Sequence, residues 1–174
     1  KNMTNQEQKI ENYEDLFILE PNPIISAYIL GHLQVEFLLH KIIEVGKPNL
    51  ADFANSISHY KLIQLAHGLR LIDNNHREAL VAINTLRNKF AHNITFIPSV
   101  QDLKTIFNLA KKAFTDMTNG ISQGLDKLDG IDKITEGFDF DISDMFSQIL
   151  YDLHKIYCDN GGDFWDFNKA EKKS

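Results

Sequence analysis

The stretch Arg87-Asn88-Lys89-Phe90-Ala91-His92 sets an arginine and a histidine five residues apart at the end of a strongly periodic segment. Arginine carries a permanent charge on a planar fork of donors that fits phosphate oxygens, while imidazole titrates near neutral pH and can take or give a proton. Together, those two residue types could cleave RNA without a metal, by attack of a ribose 2′-hydroxyl on its adjacent phosphate, although the spacing alone is a weak signal. That reaction needs a base, an acid and a cation. Arg70 and His76 nearly repeat the spacing, but they straddle Asp73-Asn74-Asn75, which reads as a turn. Their side chains then have no fixed helical relation, and the pair is structural.

The elements that must position Arg87 and His92 are helices. Prolines stand at 21, 23, 48 and 98, so the stretch from 49 to 97 is uninterrupted and rich in helix formers. Apolar residues at three- and four-residue steps predict helices over 5–19, 24–45, 59–72, 76–92, 99–117 and 142–158. A short helical piece is expected at 50–57 and a weaker helix near 121–128, inside a glycine- and aspartate-rich stretch. Asn75 with Glu78 resembles a capping box for the motif helix. The expected fold is all-α, one up-down helical bundle over 1–174 with additional terminal helices, its centre formed by 24–45, 59–72, 76–92 and 99–117. Residues 160–174 form an acidic, aromatic tail holding the only tryptophan, Trp165, expected to fold back on the bundle or to anchor a protein partner.

On the motif helix, Leu80, Ile83, Leu86 and Phe90 make the core stripe and Arg87 lies at its edge. The arc from Arg87 round to His92 also holds Asn84, Asn88 and Ala91, a strip of small and polar residues. At about 100° per residue, Arg87 and His92 stand about 140° apart and cannot meet on one straight helix. A second copy across a twofold axis would bring two arginines and two histidines into one groove. The structural alternative has Arg87 paired with a carboxylate of a neighbouring helix and His92 capping a helix C-terminus, where a cation is favoured.

The net charge of −6 argues against nonspecific coating of nucleic acid, which calls for broad basic faces, but leaves room for one local site. With no apolar run near the roughly 18 residues that span a bilayer, no leader read before Met3, and a lone Cys158, the expectation is a soluble cytoplasmic protein without disulfides. His32, Glu36 and His40 fall on one face of the second predicted helix, where such donors ligate metals in bundles. No other helix offers a matching Glu-x-x-His, so they are read as a polar stripe facing solvent or the dimer groove, and no metal or cofactor is expected. His59 and His67 are read as surface or interface residues at helix ends, the acidic residues from Asp126 to Asp144 as a solvated stretch favouring the start of the last helix, and Lys104, Lys111 and Lys112 as a solvated basic face.

From Lys61 to about Phe107, and chiefly in Lys61 to Ile72 and in Leu86 to His92, the chain resembles the HEPN superfamily and is most similar to its mannitol-operon repressor branch. The family motif is an arginine, commonly followed by a polar residue, with a histidine after four to six intervening residues; Arg87, Asn88 and His92 match it. The resemblance implies a helical bundle that dimerises through its motif helices, with Arg87 and His92 catalytic and Asn88, Asn84 and Lys89 on the substrate side. Many members are metal-independent endoribonucleases of toxin–antitoxin, phage-defence and RNA-processing systems; others are noncatalytic regulators. The expected partners are accordingly a second copy of the chain, RNA, and a protein such as an antitoxin or regulatory target, with neither a membrane nor sequence-specific DNA. One branch of nuclease toxins has a tyrosine two residues past the histidine, where this chain has Ile94.

Overall fold

A computed structural model describes residues 22–93 and 95–169; the helix expected over 5–19 and Ile94 lie outside them. Helix α1 (Pro23–Gly46) starts where Asn22 Oδ1 accepts from the backbone N–H of Ile24, with Pro23 already holding the φ a first turn needs. Pro48 opens a single 3₁₀ turn that leads into the short α2 (Ala51–Asn55) and then α3 (His59–Gly68). Helices α4 (Asn74–His92), α5 (Val100–Ala113), α6 (Gly120–Asp129) and α7 (Phe138–Asp159) follow, and no strand occurs among the described residues.

Five of these helices close a ring. Tyr28 packs edge-on against Phe90, and His32 meets Asn84, so α4 runs antiparallel to α1. Lys89 reaches Asp102 and Lys112 reaches Glu78 across α4 and α5. Lys104 pairs with Asp129 across α5 and α6, and Lys127 with Asp141 across α6 and α7. Gly124 lies against Phe107 and Gly120 against Asp144, so in each of these helix pairs one number rises as the other falls. Between α1 and α7 the order is the same in both: Gly31 lies under Phe146, and Gly46 lies beside Asn160. Alternation around an odd number of helices must fail once, and it fails at α1 and α7, the most extensive helix pair. The close approach depends on Gly31, because a Cβ there would come within 2.2 Å of the Phe146 ring.

The core runs through all five, with Tyr28, Leu39, Ile42, Ile83, Leu103, Phe107, Leu128, Ile149 and Tyr157 out of solvent. The centre of the bundle therefore includes the last helix, which the sequence reading had set at its margin. Several boundaries also move. α3 stops at Gly68 rather than 72 because Arg70, at φ +60°, ends it: Arg70 N–H bonds to His67 C=O and Leu71 N–H to Ala66 C=O, the double bond of a Schellman cap. The cap of α4 is Asp73, whose carboxylate accepts from His76 N–H, rather than Asn75; Asn74 already lies inside the helix and donates to Glu78. α5 gains a full capping box from Ser99 and Asp102, and ends at Ala113, four residues early, as Phe114 turns extended to fill the core. α7 starts at Phe138, one turn early, on Gly137 at φ +87°. In the tail, Phe167 folds back on Phe37 and Tyr157, but Trp165 stays 89% exposed. No described helix is long and apolar enough to cross a membrane.

Candidate functional site

Helix α4 carries its polar strip toward the gap between α1 and α3. Asn84 is buried, with Oδ1 3.3 Å from His32 Nε2. One turn on, Arg87 and Asn88 are half-buried, and a guanidinium nitrogen of Arg87 donates a long hydrogen bond of 3.4 Å to Asn88 Oδ1. Among the described residues, no carboxylate lies within ion-pair distance of Arg87. His92 is exposed on the last residue of α4. Just beyond it, Asn93 Oδ1 accepts from Thr95 N–H, and Phe96 packs edge-on against Phe90, so the chain leaving the motif is held to the core.

Arg87 and His92 do not meet within the chain: five residues at 1.5 Å rise separate them by about 7.5 Å along the axis, on different sides of α4. Lys89 turns the other way, forming a 2.9 Å ion pair with Asp102 on α5 and lying 5.6 Å from the Phe96 ring. His92 apart, the residues singled out on this helix thus divide in three. Arg87 and Asn88 edge the α1 side, Asn84 is committed to His32 beneath them, and Lys89 lines a shallow cleft of about 380 Å³ between α4 and α5 that neither Arg87 nor His92 enters.

Beside Arg87 lies a cluster that was legible only in part. His32 is 1% exposed and His59 8%, and their rings stand 4.2 Å apart between centroids. Glu36, one turn after His32, puts Oε2 3.7 Å from His59 Nδ1, beyond hydrogen-bond reach. Two expectations are overturned here. His32 faces inward rather than toward solvent or a dimer groove, because Asn84 and α3 cover it, while Glu36 and His40 of the same stripe stay partly exposed; and His59 is a core residue, because the start of α3 docks on the middle of α1. The donor from a second helix that the sequence appeared to lack is His59, a lone histidine with no periodic signal of its own.

The electrostatics follow from that burial. Desolvation pushes His32 down to about 4 and the Arg87 charge pushes the same way, while the hydrogen bond to Asn84 opposes them. His59 falls to about 3, first through burial, then through the positive charge that His32, His40 and Arg87 would place beside it. Both imidazoles are neutral at pH 7. His32 Nδ1, His40 Nδ1 and both nitrogens of His59 are buried without a hydrogen-bond partner. Leaving such a group unsatisfied costs roughly 1–3 kcal/mol each, so the cluster is held at a cost that the surrounding packing must cover.

Comparison of the chain with known protein families, with curated proteins and with solved structures finds no match.

Proposed function

We propose that the chain is an RNA-directed protein of the HEPN type, working through the strip of α4 that presents Arg87, Asn88 and His92. The observation that carries this reading is that, among the described residues, Arg87 has no carboxylate partner and His92 is exposed. An arginine spent on stabilising a helix contact would be paired; this one keeps its donor fork for an anion. Two copies joined across their α4 strips would bring His92 of one chain near Arg87 of the other, which the 140° separation forbids within a single helix.

In such a groove, one His92 removes the proton from a ribose 2′-hydroxyl and its mate protonates the departing 5′-oxygen. Arg87 holds the nonbridging oxygens as charge builds on them, and Asn88 orients the phosphate or the imidazole. The products are a 2′,3′-cyclic phosphate and a free 5′-hydroxyl; DNA, lacking the nucleophile, is spared. The second reading, a noncatalytic regulator of the mannitol-operon repressor kind, draws on an exposed apolar surface on α1 and α7, where Leu33, Phe37 and Tyr151 are each about half exposed.

The deciding test is incubation of a mixed single-stranded and structured RNA pool with wild type, Arg87→Ala and His92→Ala in EDTA, with DNA as control. Cyclic-phosphate ends that vanish in both variants are expected. Cleavage that survives either substitution, or no cleavage and no RNA retention by a folded protein, overturns the proposal in favour of the regulator.

A further inference from the structure

We infer that His32, Glu36 and His59 form a binding site for a divalent transition-metal ion of the zinc class, clamping α3 to the middle of α1. The site goes beyond the RNA reading and does not depend on it.

The geometry is that of a partly formed coordination shell. One donor atom from each of the three residues lies within 4.8 Å of the other two. Donors around a tetrahedral zinc ion, each about 2.0–2.2 Å from it, stand roughly 3.3–3.5 Å apart, so small side-chain rotations close the site without moving a helix. His32 and Glu36 are four residues apart on α1 and project together, and His59 enters from α3. Two imidazoles and a carboxylate suit zinc, cobalt or iron far better than calcium or magnesium, which demand oxygen shells.

The hydrogen-bond pattern points to the same occupant independently. Asn84 Oδ1 faces His32 Nε2, so that nitrogen carries the hydrogen and Nδ1 keeps its lone pair free; Nδ1 is the buried atom with no partner. An outer residue fixing the tautomer of a ligating histidine in this way is the usual support of a metal site. Both His59 nitrogens are likewise buried and unpartnered. His40, one turn beyond Glu36 with its own buried Nδ1 unsatisfied, supplies the next donor in line. Glu36 is 30% exposed at its side chain, giving the ion a path from solvent and supplying the only negative charge in the set. The neighbouring Arg87 opposes a cation, so its removal should tighten binding.

The test is titration of the full chain, first stripped with chelator, with Co²⁺ followed by its visible absorption, then displacement by Zn²⁺. One saturable site per chain is expected, together with a rise in melting temperature on adding Zn²⁺. Glu36→Gln and His59→Gln should each weaken binding at least tenfold, Arg87→Ala should strengthen it, and His67→Gln should leave it unchanged. If His59→Gln fails to fold, the half-exposed Glu36→Gln carries the decision. No saturable site, or a site indifferent to Glu36→Gln, overturns the inference, whatever the protein does to RNA.

Discussion

Asn84 Oδ1 and His32 Nε2 stand 3.3 Å apart, both out of solvent, and this contact joins the motif helix to the centre of α1 one turn before Arg87. The orientation of Arg87 therefore rests on a buried polar contact as well as on the apolar stripe. Replacing Asn84 with leucine leaves a further buried histidine nitrogen without a partner and should cost on the order of 1–3 kcal/mol. Urea denaturation at pH 7.5 measures it; an unchanged midpoint would show that water or a rearranged side chain serves His32 equally well.

Arg87→Lys should not restore what Arg87→Ala loses, since an ammonium offers a point charge in place of a planar fork. If Arg87 stabilises a pentacoordinate phosphate, either change should lower cleavage by about 10²–10³-fold with little effect on melting temperature. Single-turnover rates on a defined RNA, read beside thermal melts, separate loss of chemistry from loss of fold. Equal activity in Arg87→Lys and wild type would reduce the role of Arg87 to simple charge attraction.

Acid should loosen this protein in a defined window. In the unfolded chain His32 and His59 take up protons near pH 6.5, whereas the folded chain refuses them until about 4 and about 3. The unfolded state then binds more protons between those limits, so stability is fully present above pH 6.5 and is lost as pH falls toward 4. The loss should be on the order of 1–3 kcal/mol per histidine. Denaturation in chelator across pH 7.5 to 4.5 reads the slope, which His59→Gln should flatten; equal slopes in variant and wild type would mean that other groups control it.

Arg70 occupies a left-handed position that ordinarily falls to glycine, at φ +60° in the cap of α3. Arg70→Gly should therefore stabilise the fold by about 1 kcal/mol and leave any RNA cleavage or metal binding untouched. Differential scanning calorimetry would register the gain as a higher melting temperature. A fall instead would mean that the Arg70 side chain contributes more than its backbone strain removes.

Gly31→Ala should act in the opposite sense. The new methyl group meets the Phe146 ring, and overpacking of this kind costs about 1–3 kcal/mol. Far-ultraviolet melting curves would show it, and Phe146→Leu in the same chain should recover part of the loss by making room.

Helices were legible wherever local chemistry sets them. The periodicity of Ile25, Tyr28, Leu33 and Ile42 and the breaker Gly46-Lys47-Pro48 placed α1 to within a residue at each end. One boundary slipped where a tertiary demand overrode the local pattern, at Phe114, drawn into the core, and another where two local caps competed, at Asp73, which outcompetes Asn75. Arg87, Asn84 and Asn88 could be placed together because one helix carries all three. His59 could not, because nothing in its neighbours Ser58 and Tyr60 announces that it will meet His32, 27 positions earlier in the chain. Contacts between elements were recoverable only as far as helix pairs alternate, and the parallel pair of α1 and α7 is where alternation ends.

That parallel pair also bears on how the protein is made. α1 leaves the ribosome first among the described helices, yet its principal partner is α7, the last. Until α7 emerges, the apolar face of α1 around Val35, Leu38 and Ile42 lacks its cover, and a nascent chain that already contains the whole Arg87–His92 motif cannot yet close its bundle. The bundle that positions Arg87 and His92 therefore closes only once α7 has been made, however early the motif itself emerges.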